Sequence, residues 1–230
     1  MGTMSITWNG VQRRDSLHAG HVLKRDQLAD AARDGNWGVV LDMIEADREL
    51  VNASRVGGSS GYTALHQAGW HGAPASVVGR LLAAGAWRTV QCTGGDWAGE
   101  TASAIAARRG HPQLTELLAP VPVRPVPPAQ LAALNWHLHQ VIHGRVHDML
   151  AEHRVRLPEL GPLTEVREGT MWFPVPGFYG GFSIELLPAD PRVRAEAELS
   201  VESWSRVIGG SGQRHRVTGA GADLLDQGFV

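Results

Sequence analysis

The chain has 230 residues, 43% of them hydrophobic, with a formal net charge of -2 and an isoelectric point near 6.6. That much apolar material fills one large domain or two modest ones and excludes global disorder, and the near-neutral balance makes no case for a nucleic-acid or membrane surface. Cys92 is the only cysteine, which excludes an intramolecular disulfide and a multi-thiolate metal centre.

The opening stretch, "MGTMSITWNGVQRRDSLHAGH", is polar and aperiodic, so residues 1–24 read as an arm. It lacks an apolar signal core, and no stretch approaches the ~18 apolar residues of a membrane span, so a cytoplasmic location is expected. Lys24 is the only lysine; the basic residues are otherwise arginines, the better type for bidentate carboxylate or phosphate recognition.

Three stretches then align: "LADAARDGNWGVVLDMIEADRELVNA" from Leu28, "TALHQAGWHGAPASVVGRLLAAGAW" from Thr63 and "TASAIAARRGHPQLTELLA" from Thr101. In each, two small residues precede two variable ones and a glycine: Ala31-Ala32 with Gly35, Ala68-Gly69 with Gly72, Ala106-Ala107 with Gly110. Apolar residues three and four apart follow each glycine, the mark of a second helix with one buried face.

This pattern resembles the ankyrin repeat, whose signature contains T-P-L-H-x-A. "TALHQAG" (Thr63 to Gly69) matches it with Ala64 in place of Pro, and "GETASAIAARRGH" matches the Thr, the paired Ala and the Gly-His without the Leu-His. The first repeat lacks the Thr-Pro start and reads as a cap. The resemblance covers roughly residues 25–120 and implies a three-repeat helical stack over residues 25–119. Gly35, Gly72 and Gly110 lie 37 (72 − 35) and 38 (110 − 72) residues apart, against a usual ~33; the surplus falls in "RVGGSSG" and "QCTGGDWAG", which lengthens the loop fingers. Thr63 and His66 fit the motif's own structural roles, as a cap and a bond to loop backbone.

The resemblance also implies a concave binding face, onto which the two positions before each conserved glycine look. Those rows read Arg33, Trp70, Arg108 and Asp34, His71, Arg109. An aromatic among guanidinium groups makes a cation-π and bidentate hydrogen-bonding surface. Arg33, Trp70, His71, Arg108 and Arg109 are the expected partner-binding residues, with Trp87 and Trp97 near the fingers. The partner expected is a protein or peptide carrying carboxylate or phosphate groups.

"PVPVRPVPPAQ" (120–130) is a Pro-rich connector, read as a spacer and not as a ligand for Pro-binding domains. A long helix follows, with Leu131, Leu134, Leu138, Val141, Ile142 and Met149 on one face and Arg145 among them. His139, His143 and His147 step along the opposite flank. With no acidic residue between them they read as solvated surface, so no metal and no cofactor is expected. The period then changes to two: "TMWFPVPGFYGGFSIELL" reads as strand, turn, strand, and the rest as two or three further strands in which Leu199, Val201 and Val207 alternate with Glu202, Trp204 and Arg206. "GGSG" reads as a hairpin turn, not a phosphate loop. Residues 131–230 are thus expected to be a helix packed on a four- or five-stranded meander, which makes the whole chain α+β. This half resembles the C-terminal region of bacterial ankyrin-repeat proteins, which supplies no activity.

Arg145 on the core face must be paired or reach solvent. Glu185, Glu202, Arg206 and His215 are its expected neighbours, depending on strand face, in an ion-pair network or lining a small-molecule pocket. The first function expected is recognition of a partner by the repeats. The rival is an enzyme or small-molecule-binding protein of bacterial specialised metabolism, with those five residues as candidate catalytic groups. A third is a homodimer in which the sheet of one chain docks on the repeats of the other.

Overall fold

The structure, a computed structural model, describes residues 6–167, 169–190, 192–206 and 210–229. The described residues are mixed α+β, eight helices and a six-stranded sheet, and they cluster into two compact units. One is Arg13–Val121; the other is Pro122–Val230 together with Met1–Gln12. Among the described residues, no helix is long and apolar enough to cross a membrane.

The helical unit holds three helix pairs: α1 (Ala19–Arg33) with α2 (Trp37–Ala46), α3 (Ala64–His71) with α4 (Ala75–Ala83), and α5 (Ala102–Arg108) with α6 (Pro112–Leu117). The first members contact one another in the order α1, α3, α5, and the second members in the order α2, α4, α6, so the pairs stack in two layers. Each first helix closes in the same way. Gly35, Gly72 and Gly110 adopt φ of 71°, 64° and 80°, a left-handed conformation that glycine reaches without strain. The next amide then turns back: Asn36 N–H donates to the Ala31 carbonyl (2.8 Å), Ala73 to Ala68 (3.0 Å) and His111 to Ala106 (2.9 Å). This is the six-to-one bond of a glycine-terminated helix, and it explains the spacing of small pair and glycine. The small residues let the helices approach: a Cβ on Gly69 would lie 2.5 Å from the Ala102 carbonyl oxygen. Leu28, Val40, Leu65, Val78, Leu81, Leu114 and Leu118 fill the core between the layers.

In the second unit, α7 (Pro128–His153) buries Leu134, Leu138, Ile142, Val146 and Leu150, and α8 (Gly161–Glu165) follows. Val146 departs from helical geometry (φ -140°, ψ 28°), so α7 kinks there. The sheet runs in simple order: β1 (Ile6–Thr7), β2 (Thr170–Val175), β3 (Gly180–Leu187), β4 (Glu198–Ser205), β5 (Ser211–Thr218) and β6 (Gly221–Phe229). From β2 onward it is an antiparallel meander; β1 lies parallel to β2. The opening segment, read as an arm, thus supplies an edge strand to the sheet. It is anchored by Trp8, whose indole N–H donates to the Arg156 carbonyl (3.0 Å). Two strand residues are too few to show a period in sequence.

The connector is held to this unit: Val123 and Arg124 amides donate to the Thr164 carbonyl at 2.8 and 3.0 Å, and Arg124 Nη1 to the Leu186 carbonyl at 3.0 Å. Val207, expected on the strand with Val201, and Gly209 of the Gly-rich turn lie outside the described residues. Ser211 and Gly212 of that turn begin β5.

Candidate functional sites

At the C-terminal ends of α1, α3 and α5, side chains from one helix pair reach the next. The His71 imidazole N–H donates to the Arg33 carbonyl (2.8 Å), and that of His111 to the Trp70 carbonyl (3.3 Å). Each imidazole thereby satisfies a carbonyl that a helix end leaves open. His66 does a different job at the start of α3. Its Nδ1 accepts the Thr63 amide (3.2 Å), so its Nε2 carries the proton and donates to the Val90 carbonyl (3.0 Å), with the ring 1% exposed. It is a structural residue, tying the helix to the loop after α4.

The aromatic groups gather at the α3–α5 end. Trp97, in the short 3₁₀ turn Gly95–Trp97 of the second finger, meets Trp70 edge-on, with centroids 5.1 Å apart. Tyr62 lies 6.3 Å from Trp70 and stacks on His66 at 5.5 Å. The Arg109 guanidinium sits 4.2 Å from the centre of the Trp70 ring and that of Arg108 3.9 Å from Trp97. Arg108 also binds Glu100 (3.0 Å) and the Asp96 carbonyl (3.2 Å), which fixes the finger to the helix. Arg109 has no carboxylate within ion-pair distance among the described residues. Burial, reinforced by Cys92, pushes the Tyr62 hydroxyl up to about 12, so it stays a neutral donor.

The α1 end has the opposite character. Arg33 binds Asp30 (2.8 Å) and Asp34 (3.1 Å), and Arg55 pairs with Asp30 and Asp26. A cleft of about 210 Å³ lies between this network and the first finger, floored by Leu28 and Ala32 and edged by Arg33, Arg55, Tyr62 and Gln67. Of the five expected partner-binding residues, the structure brings Trp70 and Arg109 together, joined by Arg108 through Trp97, and links His71 to Arg33. It pairs Trp70 with Arg109, not with Arg108 of its own row, because Arg108 is turned to the finger. The Trp87 amide donates to Asn52 Oδ1 (2.8 Å), away from this cluster. Tyr62 and Arg55 escape the sequence reading because the loops that place them have no period; their only signal is their position at the two ends of the first finger.

In the sheet unit, register sorts the expected neighbours of Arg145. Val201 pairs with His215 and Ser203 with Gln213, while Glu202 pairs with Arg214 one residue out of phase. Glu185 and Glu202 therefore lie on the outer face, away from α7, and Glu202 forms a 3.2 Å ion pair with Arg214. Arg206 follows β4, exposed, its amide bonded to the Tyr179 carbonyl (3.2 Å). Only His215 shares the helix-facing side with Arg145. No carboxylate pairs with Arg145 among the described residues; its Nη2 donates to the Ser211 carbonyl (2.6 Å) and hydroxyl (2.8 Å), and its guanidinium lies 5.4 Å from the centre of Phe178. An ion-pair network is thus replaced by hydroxyl and carbonyl acceptors, because the acidic residues fall on the wrong strand face. Arg145 Nε, His215 Nδ1 and the hydroxyl of Ser203 are buried without a partner. Burial lowers the pKa of Arg145, and burial together with the Arg145 charge lowers that of His215.

Of the histidine stripe, His143 and His147 are exposed, with rings 5.7 Å apart. His139 is not solvated surface: it donates to the Pro158 carbonyl (2.8 Å), and burial lowers its pKa. Among the described residues, no three His, Cys, Asp or Glu side chains are placed to hold a metal ion.

No protein-family model matches the chain, and no curated protein matches its sequence.

Proposed function

We propose that residues ~25–120 are a three-repeat ankyrin-type stack and that the chain is a recognition protein, holding an acidic protein or peptide on the surface around Trp70. The repeated glycine closure and the Thr63–His66 cap support the repeat assignment, since both follow from the motif residues. The observation that carries the function is Arg109: an exposed guanidinium stacked on an indole, with no anion of its own among the described residues. Stacking presents the edge of the guanidinium, with its fork of N–H donors, to a carboxylate or phosphate from outside. Tyr62 and Trp97 add apolar area and a hydroxyl donor, the composition of a binding hot spot. Arg33, already neutralised by two carboxylates, contributes shape more than charge.

The test is selection from a displayed random-peptide library. The intact chain enriches Asp/Glu-rich peptides, and Arg109→Glu and Trp70→Ala each lose that enrichment while keeping the parent melting temperature. Equal enrichment by the Arg109→Glu variant ends the proposal.

A second reading rests on two buried atoms without a partner, Arg145 Nε and His215 Nδ1, on side chains near enough for the Arg145 charge to act on His215. Buried polar groups are nearly always satisfied, so this pair favours a small anionic ligand between α7 and the sheet. Acetate or inorganic phosphate then raises the melting temperature of the parent and not of Arg145→Met. Equal shifts in both remove this reading.

A further inference from the structure

The outer face of the sheet carries two rows set by strand register. One runs Pro174, Gly181, Trp204, Gly212, Gly228 across β2 to β6; the next runs Trp172, Ser183, Glu202, Arg214, Asp226. Trp204 therefore stands between glycines. On its β3 side the space above Gly181 is filled by Trp172, which stacks on Trp204 with centroids 4.9 Å and planes 28° apart. A Cβ on Gly181 would lie 2.9 Å from the tip of the Trp172 ring.

On the β5 side the two glycines leave a groove of about 290 Å³, whose lining includes Trp204, Gly212, Gly228, Glu202, Arg214 and Asp226. A Cβ added to Gly228 would meet nothing within 4 Å, so the floor is open. One wall is the indole face that Trp172 does not cover. The adjoining row is polar: Glu202 and Arg214 form their ion pair, and Asp226, on the edge strand, has no ion-pair partner among the described residues.

The chemistry of these groups selects a ligand class. Two carboxylates against one guanidinium leave the groove net negative, which turns away phosphates and carboxylates. Arg214 already holds the place beside Glu202 that a cationic ligand would take. A neutral ring with C–H groups on its flat side and hydroxyls at its rim meets both surfaces. Its C–H face lies on the indole, while its hydroxyls donate to Asp226 and Glu202 and accept from Arg214. The geometry points to this groove as a binding site for the pyranose ring of a neutral oligosaccharide. It is built wholly within the sheet unit and does not depend on what the helical unit recognises.

The experiment follows the indole N–H resonance of Trp204 in the full-length, nitrogen-15-labelled protein during titration with maltotriose, cellotriose and chitotriose. At least one of the three shifts that signal in a saturable way. Gly228→Leu fills the groove from a position with free space and abolishes the shift at an unchanged melting temperature. Asp226→Asn removes a charged acceptor and weakens binding about tenfold. The proposal is overturned if none of the three sugars moves the signal, or if the shift survives in Gly228→Leu. It is equally overturned if arginine methyl ester, and no sugar, saturates the site, since the groove is then a cation site. Trp204→Ala is the less decisive variant because it also removes the stack on Trp172.

Discussion

In the helical unit, side chains that meet across the fold lie about one repeat apart in the chain: His71 reaches Arg33, and His111 reaches Trp70. In the sheet unit the decisive contacts span much more sequence. Ile6 pairs with Met171, Trp8 bonds the Arg156 carbonyl, and Arg145 bonds Ser211. The difference shows in how polar groups are handled. The stack repeats one device, a histidine from the next pair closing the carbonyl end of a helix. The sheet sorts its polar residues by a single phase, so that Glu202 and Ser203 are chain neighbours with opposite fates, one ion-paired at the surface and one buried without a partner.

The comparison is tested most severely in the sheet core. Phe182 is fully buried among Phe173 and Phe178, and Phe182→Ala is expected to cost about 3–5 kcal/mol in denaturant titration. A loss below about 1 kcal/mol would mean that register does not organise that core. In the stack, Gly72→Ala forces a left-handed φ of 64° on an L-residue and sets a Cβ 2.6 Å from the His111 ring, with an expected loss of about 2 kcal/mol or more. Gly35→Ala has the same kind of φ (71°) but open space around the Cβ, so its smaller loss isolates the contribution of the ring. His66→Ala leaves the Val90 carbonyl and the Thr63 amide without their partner, for about 1–3 kcal/mol.

A pH series separates the histidines. Burial holds the folded pKa of His139 below the usual 6.5, so the folded state resists protonation. The stability it contributes is present above that value and is lost as pH falls through the lower folded value. His215 adds a slope of the same sign, from burial and the nearby Arg145 charge. The melting temperature of the parent is expected to fall below pH 6.5, and less steeply in His139→Gln; parallel curves would show that His139 stays solvated. At the low end, removing the exposed Arg216–Asp223 pair (3.0 Å) is expected to change stability by less than about 0.5 kcal/mol.

Much of the stack is legible in the chain because its rules are local. The small pair, the glycine four residues beyond its first member and the apolar spacing after it specify each helix pair, and Thr63–His66 specifies the cap; all act within one or two turns of backbone. Trp70 and Arg109 are legible as residues of the glycine-closed helix ends for the same reason. Trp97 is legible only as an aromatic near a finger, and the place of Tyr62 beside Trp70 is not legible at all, since both lie on irregular fingers whose course is set by bonds to other loops, such as the Thr93 amide to the Ser60 carbonyl (2.8 Å).

For the sheet, the alternating pattern announces strands but not their alignment. The apolar positions of β2 to β4 determine which face of each strand is buried, because burying the other face would strand charges in the core. Which strands become neighbours, that residues near the start of the chain complete the edge, and that Arg145 meets Ser211 and not a glutamate were decided only in the folded chain. A one-residue slip in pairing exchanges the two faces, and no single strand carries the information that prevents it. That is also why the glycine row beside Trp204 is invisible in sequence: Gly181, Gly212 and Gly228 come from three different strands, and only hydrogen-bonded register sets them in line with Trp204.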